Sequence, residues 1–158
     1  MDKRAKSTKG IPQSTRPNVV IGYAYVVADL IHVGHLNHLN ACKNLCDKLI
    51  VGVLTNKAVQ EKKPTPTIPF EDRLRMVQAL KCVDIAVSQE TYSPLPNAKA
   101  MRASVLFEST SHTQEAIDDA RREIEAYGGS VIVLPYYGGC STTEIRNRIR
   151  SSDRGGKT

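Results

Sequence analysis

His32 and His35 stand two residues apart in the stretch Asp29-Leu-Ile-His-Val-Gly-His-Leu-Asn37. Two imidazoles at that spacing can donate hydrogen bonds to phosphate oxygens. Gly34, between them, removes a side chain and lets a phosphate approach the backbone closely. The pair could instead ligate a metal, but no Cys or carboxylate set at zinc spacing completes such a site, so no metal ligand is expected. A lone surface or core histidine would be the bland reading; the spacing and position argue against it. The residues before the pair, Val19 to Ala28, are apolar and β-branched and read as a strand. The residues after it, with Leu36, Leu39 and Leu45, read as a helix. The pair therefore sits where a strand delivers the chain to a helix start. The unpaired N–H groups and positive dipole end there suit an anion.

A second set of donors, Ser141, Thr142 and Thr143, follows the apolar run Val131 to Leu134 and opens a helix expected to reach about Arg150. Ser141 or Thr142 would cap it, and a plain N-cap is the simplest reading of one of the three.

Strand and helix patterns alternate between these two sets. Lys48 to Thr55 is a continuous apolar strand of the kind buried on both faces of a parallel sheet. Residues 56–69 read as a loop rich in Lys and Pro. Phe70 to Leu80 reads as a helix with Leu74, Val77 and Leu80 on one face. A strand is expected at Val83 to Val87, a short helix near Asn97 to Met101, and a strand at Ser104 to Phe107. The charge run of the Thr113 to Tyr127 helix reads as a solvated face, ended by Gly128-Gly129. This order implies an α/β fold: a Rossmann-like, doubly wound parallel sheet of about five strands with helices on both faces. Ligands of such sheets bind beyond the carboxyl ends of the strands, where the strand order switches. His32, His35 and Ser141 all follow strands, so they are expected on one rim.

A chain of 158 residues suits one domain. No apolar run reaches membrane-spanning length, and the basic start lacks the apolar core of an export signal. With four scattered cysteines, this reads as a cytoplasmic protein with reduced thiols. The net charge of +6 is concentrated outside the middle: residues 1–18 carry +4 and residues 151–158 carry +1. Aromatics are few and Trp is absent, so nucleic acid is not the expected partner. Residues 1–17 and 151–158 read as disordered tails around a domain at 18–150.

His32-Val-Gly-His35 resembles the HxGH signature of the nucleotidyltransferase superfamily, in its cytidylyltransferase branch. Cys140-Ser-Thr-Thr-Glu-Ile-Arg146 is similar to the branch's "ISTTxI" segment, and Phe70-Glu-Asp-Arg73 to its "YExR". The three occur in family order. Within the branch, the segments Ala28 to Asn37, Val51 to Ala58 and Gln89 to Tyr92 resemble the cytidylyltransferases of phosphonate metabolism, with the glycerol-3-phosphate and choline- or ethanolamine-phosphate enzymes as neighbouring options. The resemblance implies transfer of CMP from CTP to a small phosphorylated or phosphonylated acceptor, with release of pyrophosphate. It implies magnesium held mainly through the triphosphate, and a homodimer. His32, His35 and Lys62 are then the catalytic candidates. Val27, Ala28, Gly34, Ser141, Thr142 and Thr143 are the nucleotide-binding candidates, and Arg73 and Lys81 the acceptor-binding ones. Asp29 would orient its loop.

The chain departs from the branch around the nucleoside. Val26-Val27-Ala28 replaces small or hydroxyl residues, Glu108 to His112 replaces a "GDDW"-like segment, and Tyr136 stands where an arginine is expected. Two other readings follow: an adenylyltransferase of the same fold, or a non-catalytic nucleotide- or metabolite-binding regulatory domain.

Overall fold

The computed structural model describes residues 18–155. The basic segment 1–17 and residues 156–158 lie outside the described residues. Five strands form one all-parallel sheet: β1 (Ile21–Val26), β2 (Lys48–Leu54), β3 (Ile85–Gln89), β4 (Val105–Ser109) and β5 (Ser130–Leu134), in the order β3-β2-β1-β4-β5. Six helices connect them: α1 (Val33–Lys43), α2 (Asn56–Gln60), α3 (Phe70–Gln78), α4 (Leu95–Ala100), α5 (Gln114–Glu125) and α6 (Thr142–Gly155). The switch in strand order falls at β1, which pairs with β2 on one side and β4 on the other.

Alternation along the strands divides the core in two. Ala24 and Val26 of β1 face Leu39 and Cys42 of α1 and Val77 of α3. Tyr23 faces the other way, toward Ala98 of α4 and Ala120 and Ile124 of α5. Helices thus cover both faces, which is what the apolar run of β2 requires. Truncating a fully buried side chain such as Leu39 would cost about 2–5 kcal/mol.

Several boundaries differ from expectation. α1 stops at Lys43, and Leu36 and Leu45 are exposed; Leu39 and Cys42 form its buried contact instead. The 56–69 segment is not all loop: the Thr55 hydroxyl accepts from Ala58 N and starts α2. β3 lies two residues later than expected. α6 continues past Arg150 to Gly155, with the Ser151 and Ser152 hydroxyls donating to the carbonyls of Asn147 and Arg148 one turn back rather than to groups that would end the helix. α5 behaves as read: Ile117, Ala120 and Ile124 are buried beneath an exposed face with Arg121–Asp118 and Arg122–Asp119 pairs. Gly128 follows it with φ +89°, the left-handed turn that glycine adopts without strain. Among the described residues, no helix is long and apolar enough to cross a membrane, and all four cysteines are free thiols.

Candidate active site

A cleft of about 480 Å³ opens at the carboxyl ends of β1 and β4. His32, Gly34 and His35 line it from the start of α1, and Ser141, Thr142 and Thr143 from the start of α6. Two helix N-termini, widely separated in sequence, therefore face one space. A Cβ added at Gly34 would lie 2.8 Å from the His32 ring and 3.0 Å from the Cys140 carbonyl. Glycine at this position lets the two helix starts and the first imidazole meet.

The histidines are bound into the helix start itself. Gly34 N donates to His32 Nδ1 at 3.0 Å, and His32 N donates to His35 Nδ1 at 3.4 Å. This is a reciprocal cap made from imidazoles, where Ser and Glu are usual. Because each Nδ1 accepts, each neutral ring carries its proton on Nε2, as a free donor. Protonating either ring would set N–H against N–H. Burial pushes the His32 pKa down, against a smaller opposing effect of Glu144. Burial, then the neighbouring His32 and His38, push His35 down to about 4. The ring centroids are 4.0 Å apart. The caps therefore favour neutral rings that donate through Nε2.

Asp29 ties the surrounding loops together. Its carboxylate accepts from Thr67 N (3.0 Å) and Ile68 N (2.9 Å) and pairs with Arg146 of α6. Its carbonyl accepts from the Thr142 hydroxyl at 3.2 Å. Ala28 (φ 58°) and Leu30 (φ 63°) on either side are left-handed, each at a cost of about 1–2 kcal/mol that the fixed Asp29 bonds offset.

The remaining candidates separate. Val27 lines the cleft, whereas Ala28 is buried and serves the turn rather than the cavity wall. Lys62 is not on the wall: its Nζ lies 4.8 Å over the Tyr92 ring, and the adjacent Lys63 lines the cleft. Lys63 Nζ also lies over that ring, at 5.9 Å, so the two amines share Tyr92. Arg73 is not on the cleft wall. It is fully buried, donating to the carbonyls of Ile68, Val27 and Leu54 and to Asn56 Oδ1 at 2.6–3.0 Å. Lys81 is exposed in the turn before β3, at the amino end of the sheet, opposite the cleft.

Sequence reasoning missed others on the wall: Arg146, Tyr25, His38 and His112. Arg146 could have been found, since it closes the Ser-Thr-Thr segment. Tyr25 and His112 carried no local signal. Pro135, Tyr136 and Tyr137 form a further wall, with Tyr136 56% exposed. Among the described residues, no group of three or more His, Cys, Asp or Glu is placed to hold a metal ion.

Comparisons with known proteins bear on the family and the fold. A family model described as cytidylyltransferase-like matches residues 24–148. The bifunctional protein HldE of Acidiphilium cryptum is 33% identical over 133 residues, covering 83% of this chain and 27% of its own length. HldE of Escherichia coli is 33% identical over 131 residues, with 82% and 27% covered. The chain thus spans about a quarter of the length of the curated relatives it matches. In structure, a lipopolysaccharide core biosynthesis protein from Thermoplasma volcanium superposes with a TM-score of 0.66 at 21% identity, covering 77% of this chain and 99% of that one. A pantoate-β-alanine ligase from Francisella tularensis, complexed with β-γ ATP and β-alanine, superposes at 0.56 and 13%, covering 87% and 72%. These two show a shared fold.

Proposed function

This chain belongs to the cytidylyltransferase-like family, and from that footing we propose that it transfers a nucleoside monophosphoryl group from a nucleoside triphosphate to a small phosphorylated or phosphonylated acceptor. An acceptor oxygen attacks the α-phosphorus. The bond from that phosphorus to the α,β-bridging oxygen breaks, and pyrophosphate leaves. The nucleophile is already anionic, so the barrier lies in crowding negative charge rather than in removing a proton. One observation carries the reading: the Nε2–H donors of His32 and His35 and two helix N-termini converge on a single cleft.

Each chain-borne donor has a defined part. His32 and His35, fixed by their caps, hold phosphoryl oxygens without reorganising during the reaction; each is worth about 2.7–4 kcal/mol of barrier by analogy with an oxyanion-hole donor. The unpaired first-turn amides of α1 and α6 and the hydroxyl of Thr143 add neutral donors, while the Thr142 hydroxyl stays on the Asp29 carbonyl. Lys63 and Arg146 bring positive charge to the wall. The wall offers donors and cations rather than a carboxylate cage, which suits a magnesium ion carried on the triphosphate. When bound, that ion would neutralise phosphate charge.

The donor is the finer question, and adenine is the base we favour. The paired acidic residues that the cytidylyltransferase resemblance leads one to expect are absent. Glu108 in their place is buried and taken up by Tyr25 and His112. The wall Pro135–Tyr137 offers aromatic surface, on which a bicyclic base covers more area than a pyrimidine. Cytidylyl transfer is the second reading, favoured by the family description itself. Equilibrium binding of ATP against CTP, followed by pyrophosphate release with magnesium and a panel of phosphate monoesters, separates them. Tighter binding and faster turnover with CTP would reverse the order. Intact binding without turnover of any triphosphate would replace both with a regulatory nucleotide-binding domain.

A further inference from the structure

Building on the cleft as a nucleotidyl-transfer site, the geometry points to His112 as a specificity-determining residue: its Nε2 accepts a hydrogen bond from a hydroxyl group of the acceptor substrate, and Glu108 and Tyr25 are positioning residues that hold the ring in that tautomer. Glu108 is 1% exposed, at the end of β4 beside the strand-order switch. Its Oε2 accepts from the Tyr25 hydroxyl at 2.9 Å and meets His112 Nδ1. Burial holds the Tyr25 phenol far above its ordinary range, so it remains a donor. A bare Nδ1 facing the carboxylate would set lone pair against lone pair, so the proton lies on Nδ1, between the two groups. The Ser109 amide also points at this nitrogen, at 3.3 Å, and could donate only to a bare Nδ1; the shorter contact with the carboxylate outweighs it, and with the Tyr25 hydroxyl at 3.1 Å fixes the ring plane.

With Nδ1 turned inward, the opposite ring edge faces the cleft, and the side chain is 33% exposed. In the neutral ring, Nε2 carries a lone pair. This is the reverse of His32 and His35, whose Nδ1 atoms accept and whose Nε2 atoms donate. The cleft therefore has one end built for anions and another presenting an acceptor. Around that acceptor stand His38 and the hydroxyls of Ser109 and Ser111, which are 2.9 Å apart. Among the described residues, Asp29 is the one carboxylate lining the cleft, and it is buried and already paired. Glu108 lies behind the His112 ring and is taken up by Tyr25 and His112, so a cationic head group meets no unpaired carboxylate among the described residues, whereas a hydroxyl-bearing one finds partners. The aromatic wall Pro135–Tyr137 is left for the base.

The test uses the whole chain and two families of phosphate monoester, hydroxyl-bearing (glycerol 3-phosphate and sugar phosphates) and hydroxyl-free (propyl phosphate), with phosphocholine as the cationic probe. Wild type should prefer hydroxyl-bearing acceptors in kcat/KM. His112→Phe should reduce that preference 10–100-fold, and His112→Gln, which keeps an acceptor, should restore part of it. Nucleotide Kd should hold within about twofold. Independently of turnover, imidazole ¹⁵N shifts should report a proton on Nδ1 of His112 and on Nε2 of His32 and His35. A preference unchanged in His112→Phe overturns the assignment, as does a preference for phosphocholine. So does an Nε2–H tautomer at His112. A parallel loss of nucleotide affinity overturns it too, by giving the ring to the base. Absence of turnover with every triphosphate would instead remove the transferase reading, and the tautomer would still decide the state of His112.

Discussion

Asp29 and Arg146, 117 positions apart, form an ion pair that joins the β1–α1 loop to α6 beside the two helix starts of the cleft. The same carboxylate holds the amides of Thr67 and Ile68, and Arg146 also donates to the Thr67 hydroxyl at 3.1 Å. One buried group thus sets the relative position of three segments.

Asp29→Ala should lose about 3 kcal/mol of stability, because two backbone donors and a guanidinium lose their acceptor together. Arg146→Ala should lose less, about 1 kcal/mol, since its head group is partly solvated. Urea unfolding gives both values. Equal losses would show that the pair, rather than the amide bonds, carries the hub.

Arg73→Lys should destabilise by at least about 3 kcal/mol, since one ammonium cannot reach the four acceptors the guanidinium now serves. Acceptor KM, measured where the variant stays folded, should not move. A raised acceptor KM at unchanged stability would return Arg73 to the substrate site that the sequence suggested.

His32→Asn separates the two duties of that residue. An asparagine oxygen can still cap Gly34 N, so the melting temperature should change little. The Nε2–H donor is lost, because the shorter asparagine amide stops short of its position, and kcat should fall about 10²–10³-fold. A variant with full turnover would leave His32 as a cap alone.

The pH dependence follows from the lowered histidines. His35 titrates near 4 in the folded chain against an ordinary 6.5, and His32 is also lowered. Between those values the unfolded chain binds more protons than the folded one. Stability is therefore complete above about pH 6.5 and declines as pH falls toward 4. His35→Gln keeps a capping acceptor without the titration, and should flatten the slope of the urea midpoint across that window. An unchanged slope would assign the effect to other groups. Asp84 is held low by Lys43 and the Leu49 amide, so its own contribution is lost only at lower pH, below the ordinary carboxylate range.

What could be read from the chain were the features fixed within one or two turns of backbone. The alternation of strands and helices, the strand-to-helix junction at His32, the cap at Ser141 and the solvated face of α5 all depend on neighbours up to four residues away. Those patterns imply a parallel sheet, and a parallel sheet puts His32, His35 and Ser141 on one rim. Only the tertiary structure decided what each remaining candidate does. Arg73 looks like a phosphate ligand until its partners, up to 46 positions distant, are seen to be carbonyls. Lys62 and Lys63 are indistinguishable in sequence; in the fold both amines lie over Tyr92, and Lys63, not Lys62, lines the cleft. The Tyr25–Glu108–His112 cluster exists because β1 pairs with β4, 83 positions on, and no local periodicity records that pairing. A side chain's chemistry depends on what it touches, and most of those contacts are made by segments remote in the sequence.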